Sequence, residues 1–107
     1  RDFVYVKDVT EVLYFFLHHR KDSGLYNLGT GHARTFLDLA RSTFKEMDVE
    51  QKISFIDTPK DIRDTYQYFT EANISKLHQI GYNRDFYTLE AGVSDYVSSY
   101  LLKDSYY

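Results

Sequence analysis

The clearest structural signals in this chain lie at its start, in RDFVYVKDVTEVLYFFL, residues 1–17. Residues 3–6 are aromatic or β-branched, which predicts a short β-strand. Asp8 and Glu11 then have the spacing of a helix-capping box. Apolar side chains follow at the spacing of one helical face, at Val9, Val12, Leu13, Phe16 and Leu17. A strand that runs directly into a helix predicts an α/β fold.

The rest of the chain continues this alternation. Strand composition recurs at residues 25–28 and 52–56. Helical periodicity predicts helices near residues 8–19, 35–47, 70–79 and 88–103, with caps at Thr35, Thr70 and Thr88. Residues 57–69 have neither period and contain the only proline, so we predict a loop there. Three short strands make a thin sheet, which favours a small α/β lobe over a complete fold.

Composition limits the function classes. A chain of 107 residues forms one domain at most. The net charge of −3 argues against a general binder of nucleic acid or membrane surfaces, and the longest apolar run, residues 13–17, is too short to span a bilayer. The absence of cysteine excludes disulfides and thiol chemistry and suits a reducing compartment. Aromatic residues, at 18%, favour a core, an interface or a ligand wall.

The sequence lacks the usual motifs for cofactor and metal chemistry. Its five glycines, at positions 24, 29, 31, 81 and 92, form no G-x-G-x-x-G fingerprint. No tyrosine is followed four residues later by lysine, so the catalytic dyad of short-chain dehydrogenases is absent. The adjacent His18 and His19 point roughly 100° apart on a helix, and the other two histidines are isolated. We therefore predict no catalytic residue, cofactor site or metal site within this chain.

Four motifs nevertheless occur in an order that is typical of one protein family. They are RDFVYVKDV at residues 1–9, NLGTG at 27–31, YQYFTEANISKLHQIGY at 66–82 and LEAGVSDYVSSYL at 89–101. Together they resemble the C-terminal portion of an extended short-chain dehydrogenase/reductase. The third motif is similar to the ADP-L-glycero-D-manno-heptose 6-epimerases in particular. The chain departs from this family at Asn73, where Asp is usual, and at Lys7, which we expect at the surface.

The resemblance implies that residues 1–107 are the substrate-binding lobe of a longer enzyme. The Rossmann half, which binds NADP (NAD is also possible) and carries the catalytic dyad, is expected upstream of this chain. The implied reaction is epimerisation at C6 of ADP-heptose, for the inner core of bacterial lipopolysaccharide. The enzyme is expected to be a cytoplasmic homo-oligomer, with no nucleic-acid or membrane partner. This chain alone is expected to be inactive.

The matching positions assign substrate binding to Arg1 and Tyr66. A guanidinium makes paired, charge-assisted hydrogen bonds to a diphosphate, and a tyrosine offers a flat ring and a hydroxyl. We expect both to meet one ligand, although they lie 65 positions apart. Arg63, on the same loop as Tyr66, is a further candidate.

Other interpretations of these residues remain open at this point. Arg1 and Asp2 are also compatible with a solvated surface pair, NLGTG with a plain turn, and Tyr66 and Tyr68 with core packing. The longer protein is also compatible with another nucleotide-sugar epimerase or dehydratase, although YQYFT argues against this, or with a non-catalytic cofactor-binding relative. A Tyr-x-x-x-Lys motif upstream would distinguish the enzyme from the non-catalytic relative.

Overall fold

The computed structural model describes residues 1–106 and consists of helices joined by irregular segments. Tyr107, the last residue of the predicted domain, lies outside the described residues. The α-helices are α1 (Val6–His18), α2 (Phe36–Glu46), α3 (Lys60–Arg63), α4 (Ser75–Gln79) and α5 (Leu89–Ser99). Two 3₁₀ turns cover Arg20–Asp22 and Leu101–Lys103. Since none of residues 1–106 lies in a β-strand, the α/β prediction is not confirmed.

The three predicted strands, at residues 3–6, 25–28 and 52–56, are absent from the described structure for a common reason. A strand needs a neighbouring strand to satisfy its N–H and C=O groups, and composition alone cannot supply one. Val6 is already the first residue of α1. The carbonyl of Leu25 accepts instead from Lys76 Nζ at 2.7 Å. Phe55 and Ile56 are 82% and 88% exposed, so these side chains of the third segment pack little against the rest of the described chain.

Helix α1 begins two residues earlier than predicted, and the capping-box prediction is wrong. The N-cap residue is Tyr5, whose side chain makes no capping hydrogen bond. Asp8 lies inside the first turn, where its buried carboxylate accepts from the backbone N–H of Tyr87 at 3.0 Å. Burial raises the pKa of Asp8. The Glu11 carboxylate pairs with Arg84, so both acidic side chains bind a distant segment.

The buried face of α1 also differs from the predicted stripe. Val12 is buried and forms the core with Leu77 and Tyr82. Leu13 and Leu17, which the spacing placed on the same face, are 59% and 63% exposed. Several partly buried hydrophobic side chains pack around this core: Phe15, Phe16, Tyr26, Leu28, Ile80 and Phe86.

A polar cluster joins α1 to α5. The Tyr5 hydroxyl and the Lys7 ammonium both donate to Asp95 Oδ2, each at 2.6 Å. Gly92 permits the approach of Tyr5, because a Cβ at that position would lie 3.2 Å from Tyr5 Cγ. The Lys7 side chain is 28% exposed, so it lies partly at the surface while its ammonium is held by Asp95.

The caps of α2 and α5 match the prediction, whereas α4 is shorter than expected. Thr35 forms a capping box with Asp38, and Thr88 accepts from the N–H of Ala91 at 3.1 Å. Helix α4 begins at Ser75, whose N–H donates to Asn73 Oδ1 at 3.0 Å, so Thr70 is not its cap. Residues 70–74 stay non-helical, with the N–H of Ala72 bonded elsewhere in the chain. Helix α5 ends at Ser99 and continues only as a 3₁₀ turn.

The molecule is a flattened body of 49 × 39 × 19 Å. Its radius of gyration is 16.6 Å, against about 13 Å expected for a globular domain of this length. Its accessible surface is 8188 Å², against about 6,200 Å² expected from its mass. The described residues contain no helix of the length and apolar character needed to cross a bilayer.

Candidate functional site

Arg1 and Tyr66 lie side by side in the structure. The guanidinium carbon of Arg1 is 5.2 Å from the centroid of the Tyr66 ring, within the range of a cation–π interaction. The Tyr66 ring also makes an edge contact with Tyr68, at 5.1 Å between centroids. The structure therefore brings the two predicted site residues together across 65 positions of sequence. Their role in substrate binding stays a prediction.

The backbone of Arg1 is held in place, but its guanidinium lacks one hydrogen-bond partner. Reciprocal backbone hydrogen bonds of 2.7 Å join Arg1 to Arg34. Arg1 Nη1 is shielded from solvent and has no hydrogen-bond partner among residues 1–106. A buried donor without an acceptor costs about 1–3 kcal/mol, and more when it is charged. An acceptor group bound beside Tyr66 would remove that cost.

Asp2 does not form an ion pair with its neighbour Arg1, because both of its carboxylate oxygens accept hydrogen bonds from other residues. Oδ1 accepts from the N–H and the hydroxyl of Thr30, at 2.8 and 2.6 Å. Oδ2 accepts from the N–H groups of Gly31 and Ala72, at 2.9 and 3.0 Å. Burial of Asp2 raises its pKa, but the hydrogen bonds from Thr30, Ala72 and Gly31 outweigh burial and leave the pKa below its ordinary value. Asp2 is therefore a structural anchor and not half of a solvated surface pair.

The glycines of NLGTG allow this anchor to form. A Cβ on Gly29 would lie 2.6 Å from Ala72 Cβ and 2.7 Å from Asp2 Oδ2, closer than real Cβ contacts. Gly31 has φ +76°, a conformation that favours glycine. The motif is thus shaped around Asp2 and the segment that contains Ala72. The N–H groups of its Thr30 and Gly31, which in another setting could bind a phosphate, are occupied by the Asp2 carboxylate.

The structure places Arg63 and Tyr68 differently from the two main candidates. Arg63, the last residue of α3, donates from Nη2 to the carbonyl of Thr58 at 2.8 Å and so binds the segment just before that short helix. No contact described for residues 1–106 joins Arg63 to Arg1 or Tyr66. Tyr68 is exposed and Tyr66 is half-buried, so neither is a core side chain.

Other cationic side chains near this region are already paired. A cavity of about 720 Å³ is lined by Thr30, His32, Arg34 and Arg84, among others. Arg34 binds Glu90 and Asp38, and Arg84 binds Glu11. Arg1 differs from these arginines because no carboxylate forms an ion pair with it in the described chain. It is therefore a stronger candidate for binding an anionic ligand than the arginines of this cavity.

Sequence reasoning missed Asp2 as a member of the site. Its bonds reach residues 28 to 70 positions away, which no local pattern reports. The available signal was an acidic residue directly after the candidate arginine, combined with a Gly-Thr-Gly turn that presents free N–H groups.

No family model matches the chain. Among curated proteins, the ADP-L-glycero-D-manno-heptose-6-epimerase of Fusobacterium nucleatum is 47% identical over an alignment of 113 residues, covering all of this chain and 34% of the relative. Two proteins of the same name from strains of Nitratidesulfovibrio vulgaris are each 46% identical over 101 residues, covering 94% of this chain and 31% of the relative. The chain thus spans about a third of the length of these relatives. The resemblance predicted from the motifs is confirmed: the chain is homologous, over essentially its whole length, to part of proteins named ADP-L-glycero-D-manno-heptose-6-epimerase.

Proposed function

We propose that this chain is the C-terminal substrate-binding part of an NADP-dependent ADP-heptose 6-epimerase, and that Arg1 and Tyr66 bind the nucleotide sugar. The names of the homologous proteins support the enzyme class. One observation carries the assignment of the residues: the buried, unpartnered Nη1 of Arg1 lies on a guanidinium that faces the Tyr66 ring.

The chemistry of this pair suits the diphosphate of a nucleotide sugar. The Arg1 guanidinium is not neutralised by Asp2, whose oxygens accept from Thr30, Gly31 and Ala72. Its donors are therefore not used in an ion pair with Asp2 and can bind phosphate oxygens, and each charge-assisted hydrogen bond is worth about 1.5–3 kcal/mol. The half-buried Tyr66 ring limits the movement of the guanidinium on one side. Its hydroxyl is a second group that can bind the ligand.

In this proposal the chain contributes positioning and not redox chemistry. Epimerisation at C6 requires the ADP end to stay bound while the heptose end turns between the two hydride transfers. A fixed arginine at the diphosphate meets the first requirement without contacting C6. We assign no NADP site to this chain, and the N–H groups of its Gly-Thr-Gly turn, which are occupied by Asp2, support that assignment. We assign hydride transfer to the part of the enzyme outside this chain.

The proposal extends to the cellular setting implied by the resemblance. The enzyme would act in the cytoplasm as a homo-oligomer and supply heptose for the lipopolysaccharide inner core. The names of the relatives favour this enzyme over another nucleotide-sugar epimerase or dehydratase and over a non-catalytic relative.

The proposal is tested with the full-length protein that contains this chain. With NADP present, the purified protein should interconvert the two C6 epimers of ADP-heptose, which chromatography separates. Arg1→Ala should raise the KM for ADP-heptose about thirtyfold, equivalent to about 2 kcal/mol, with unchanged NADP affinity. Arg41→Ala, an exposed arginine on α2, is the matched control and should leave KM unchanged. Absence of epimerisation, or equal KM values for Arg1→Ala and Arg41→Ala, would overturn the proposal.

A further inference from the structure

Asp2 links three segments of the chain through one carboxylate. It belongs to the N-terminal segment, its Oδ1 binds Thr30 of NLGTG, and its Oδ2 binds Gly31 and Ala72. Glu71 supports the same junction by accepting from the N–H of Ala33 at 2.9 Å. Such side-chain hydrogen bonds fix the relative positions of segments that no strand pairing joins.

These segments lead directly to the two candidate ligand residues. Arg1 precedes Asp2, and its backbone is paired with Arg34, which follows NLGTG. Tyr66 lies on the non-helical segment that contains Ala72 and ends where α4 begins at Ser75. If the Asp2 carboxylate released Ala72, the 66–72 segment would lose its described bond to the N-terminal segment. The position of Arg1 would still be fixed by its backbone bonds to Arg34, but that of Tyr66 would not be fixed by Ala72. The 5.2 Å contact between Arg1 and Tyr66 would then be less well defined.

We infer that Asp2 is a positioning residue for the nucleotide-sugar site, which sets the spacing between Arg1 and Tyr66 without touching the ligand. The inference rests on the proposed function, since it requires that Arg1 binds the diphosphate. Both oxygens of Asp2 are occupied by protein donors, so Asp2 acts through its neighbours. Because these donors occupy Asp2, it forms no ion pair with Arg1, and the Arg1 guanidinium remains available to the ligand.

The test is a double-mutant cycle in the full-length protein. Asp2→Asn keeps the size of the side chain but replaces one carboxylate oxygen with an amide NH₂ group. That NH₂ group cannot accept a hydrogen bond from a backbone N–H. ADP is the probe, and its dissociation constant is measured by isothermal titration calorimetry with saturating NADP present. Asp2→Asn should weaken ADP binding about tenfold in the wild-type background, but less than about twofold in the Arg1→Ala background. A general loss of stability would weaken binding by the same factor in both backgrounds.

Two further variants keep the test decisive. Asp8→Asn replaces a buried carboxylate that accepts from the N–H of Tyr87, far from Arg1 in the sequence, and should leave ADP affinity unchanged. Thr30→Val removes the hydrogen bond from the Thr30 hydroxyl to Asp2. It is the variant to measure if the Asp2→Asn protein does not fold. It should weaken ADP binding about threefold, again only when Arg1 is present.

The outcomes separate the inference from the proposed function. If Arg1→Ala leaves ADP affinity unchanged, the proposed function is wrong and the inference falls with it. If Arg1→Ala weakens binding but the effects of Asp2→Asn or Thr30→Val are absent or equal in both backgrounds, the inference alone is overturned. Loss of affinity that depends on Arg1, with kcat retained in the epimerase assay, supports the inference.

Discussion

At the scale of single residues, Arg1 and Asp2 are adjacent opposite charges that do not pair with each other. The carboxylate is used by four donors of Thr30, Gly31 and Ala72, and the guanidinium rests against Tyr66. An exposed ion pair would be worth at most about 1 kcal/mol and would weaken anion binding. Separate partners give Asp2 a structural task and leave Arg1 free to bind an anion.

Tyr66 is expected to contribute through both its hydroxyl and its ring. In the full-length protein, Tyr66→Phe should raise the KM for ADP-heptose about fivefold, equivalent to about 1 kcal/mol for one lost hydrogen bond. Tyr66→Leu should cost more, because it also removes the ring beside Arg1. Steady-state kinetics measure both effects, with Tyr68→Phe as the exposed control. A KM for Tyr66→Leu equal to that of the wild type would show that this side chain does not contact the ligand.

At the scale of secondary-structure elements, local signals were sufficient for the starts of α2 and α5 but not for those of α1 and α4, nor for the strands. The caps at Thr35 and Thr88 depend on residues three positions apart, so the sequence alone predicted them. The segment at residues 52–56 has strand composition, but strand formation depends on a partner that composition does not report. The meeting of Arg1 and Tyr66 was expected only from the family resemblance. Asp2 was missed because its bonds cross the chain.

The turn formed by NLGTG is expected to be intolerant at Gly29. Gly29→Ala would place a Cβ against Ala72 Cβ and Asp2 Oδ2, and such overpacking typically costs about 1–3 kcal/mol of unfolding free energy. The variant should lower both thermal stability and ADP affinity in the full-length protein. Gly24→Ala is the matched control, because its Cβ would have ordinary contacts at 3.6 Å. Equal melting temperatures for the two variants would contradict the described packing of Gly29.

The link between α1 and α5 should make stability depend on acid pH through Asp95. Hydrogen bonds from Lys7 and then Tyr5 lower the pKa of Asp95 to about 2. Because the folded pKa is below the unfolded one, this contribution is present above about pH 4 and is lost as the pH falls toward 2. Asp95→Asn should therefore lower the melting temperature at pH 7, and the difference from wild type should narrow below about pH 4. A difference independent of pH would contradict this account.

At the scale of the whole molecule, the chain is thin and exposes much apolar surface. Its smallest extent is 19 Å, and large hydrophobic side chains such as Leu13, Leu17, Phe55 and Ile56 are exposed. The core of the described residues is small, with Val12, Leu77 and Tyr82 at its centre. This shape agrees with the proposal that the chain acts as one part of a longer enzyme.

On this proposal the isolated chain should not bind the cofactor. It has no G-x-G-x-x-G fingerprint, and Asp2 occupies the N–H groups of its glycine turn. Isothermal titration of the isolated chain with NADPH should show no binding, once circular dichroism has shown that the chain is helical. Micromolar binding would contradict the assignment of the cofactor site to the rest of the enzyme.

The central claim is that Arg1 Nη1 binds the diphosphate of the ligand. It is tested most directly by an experimental structure of the full-length protein with NADP and ADP. We expect a phosphate oxygen of ADP about 3 Å from Arg1 Nη1, with the Tyr66 ring beside the same guanidinium. A structure in which Arg1 Nη1 instead donates to a protein carbonyl or carboxylate, and ADP binds away from Arg1 and Tyr66, would contradict it.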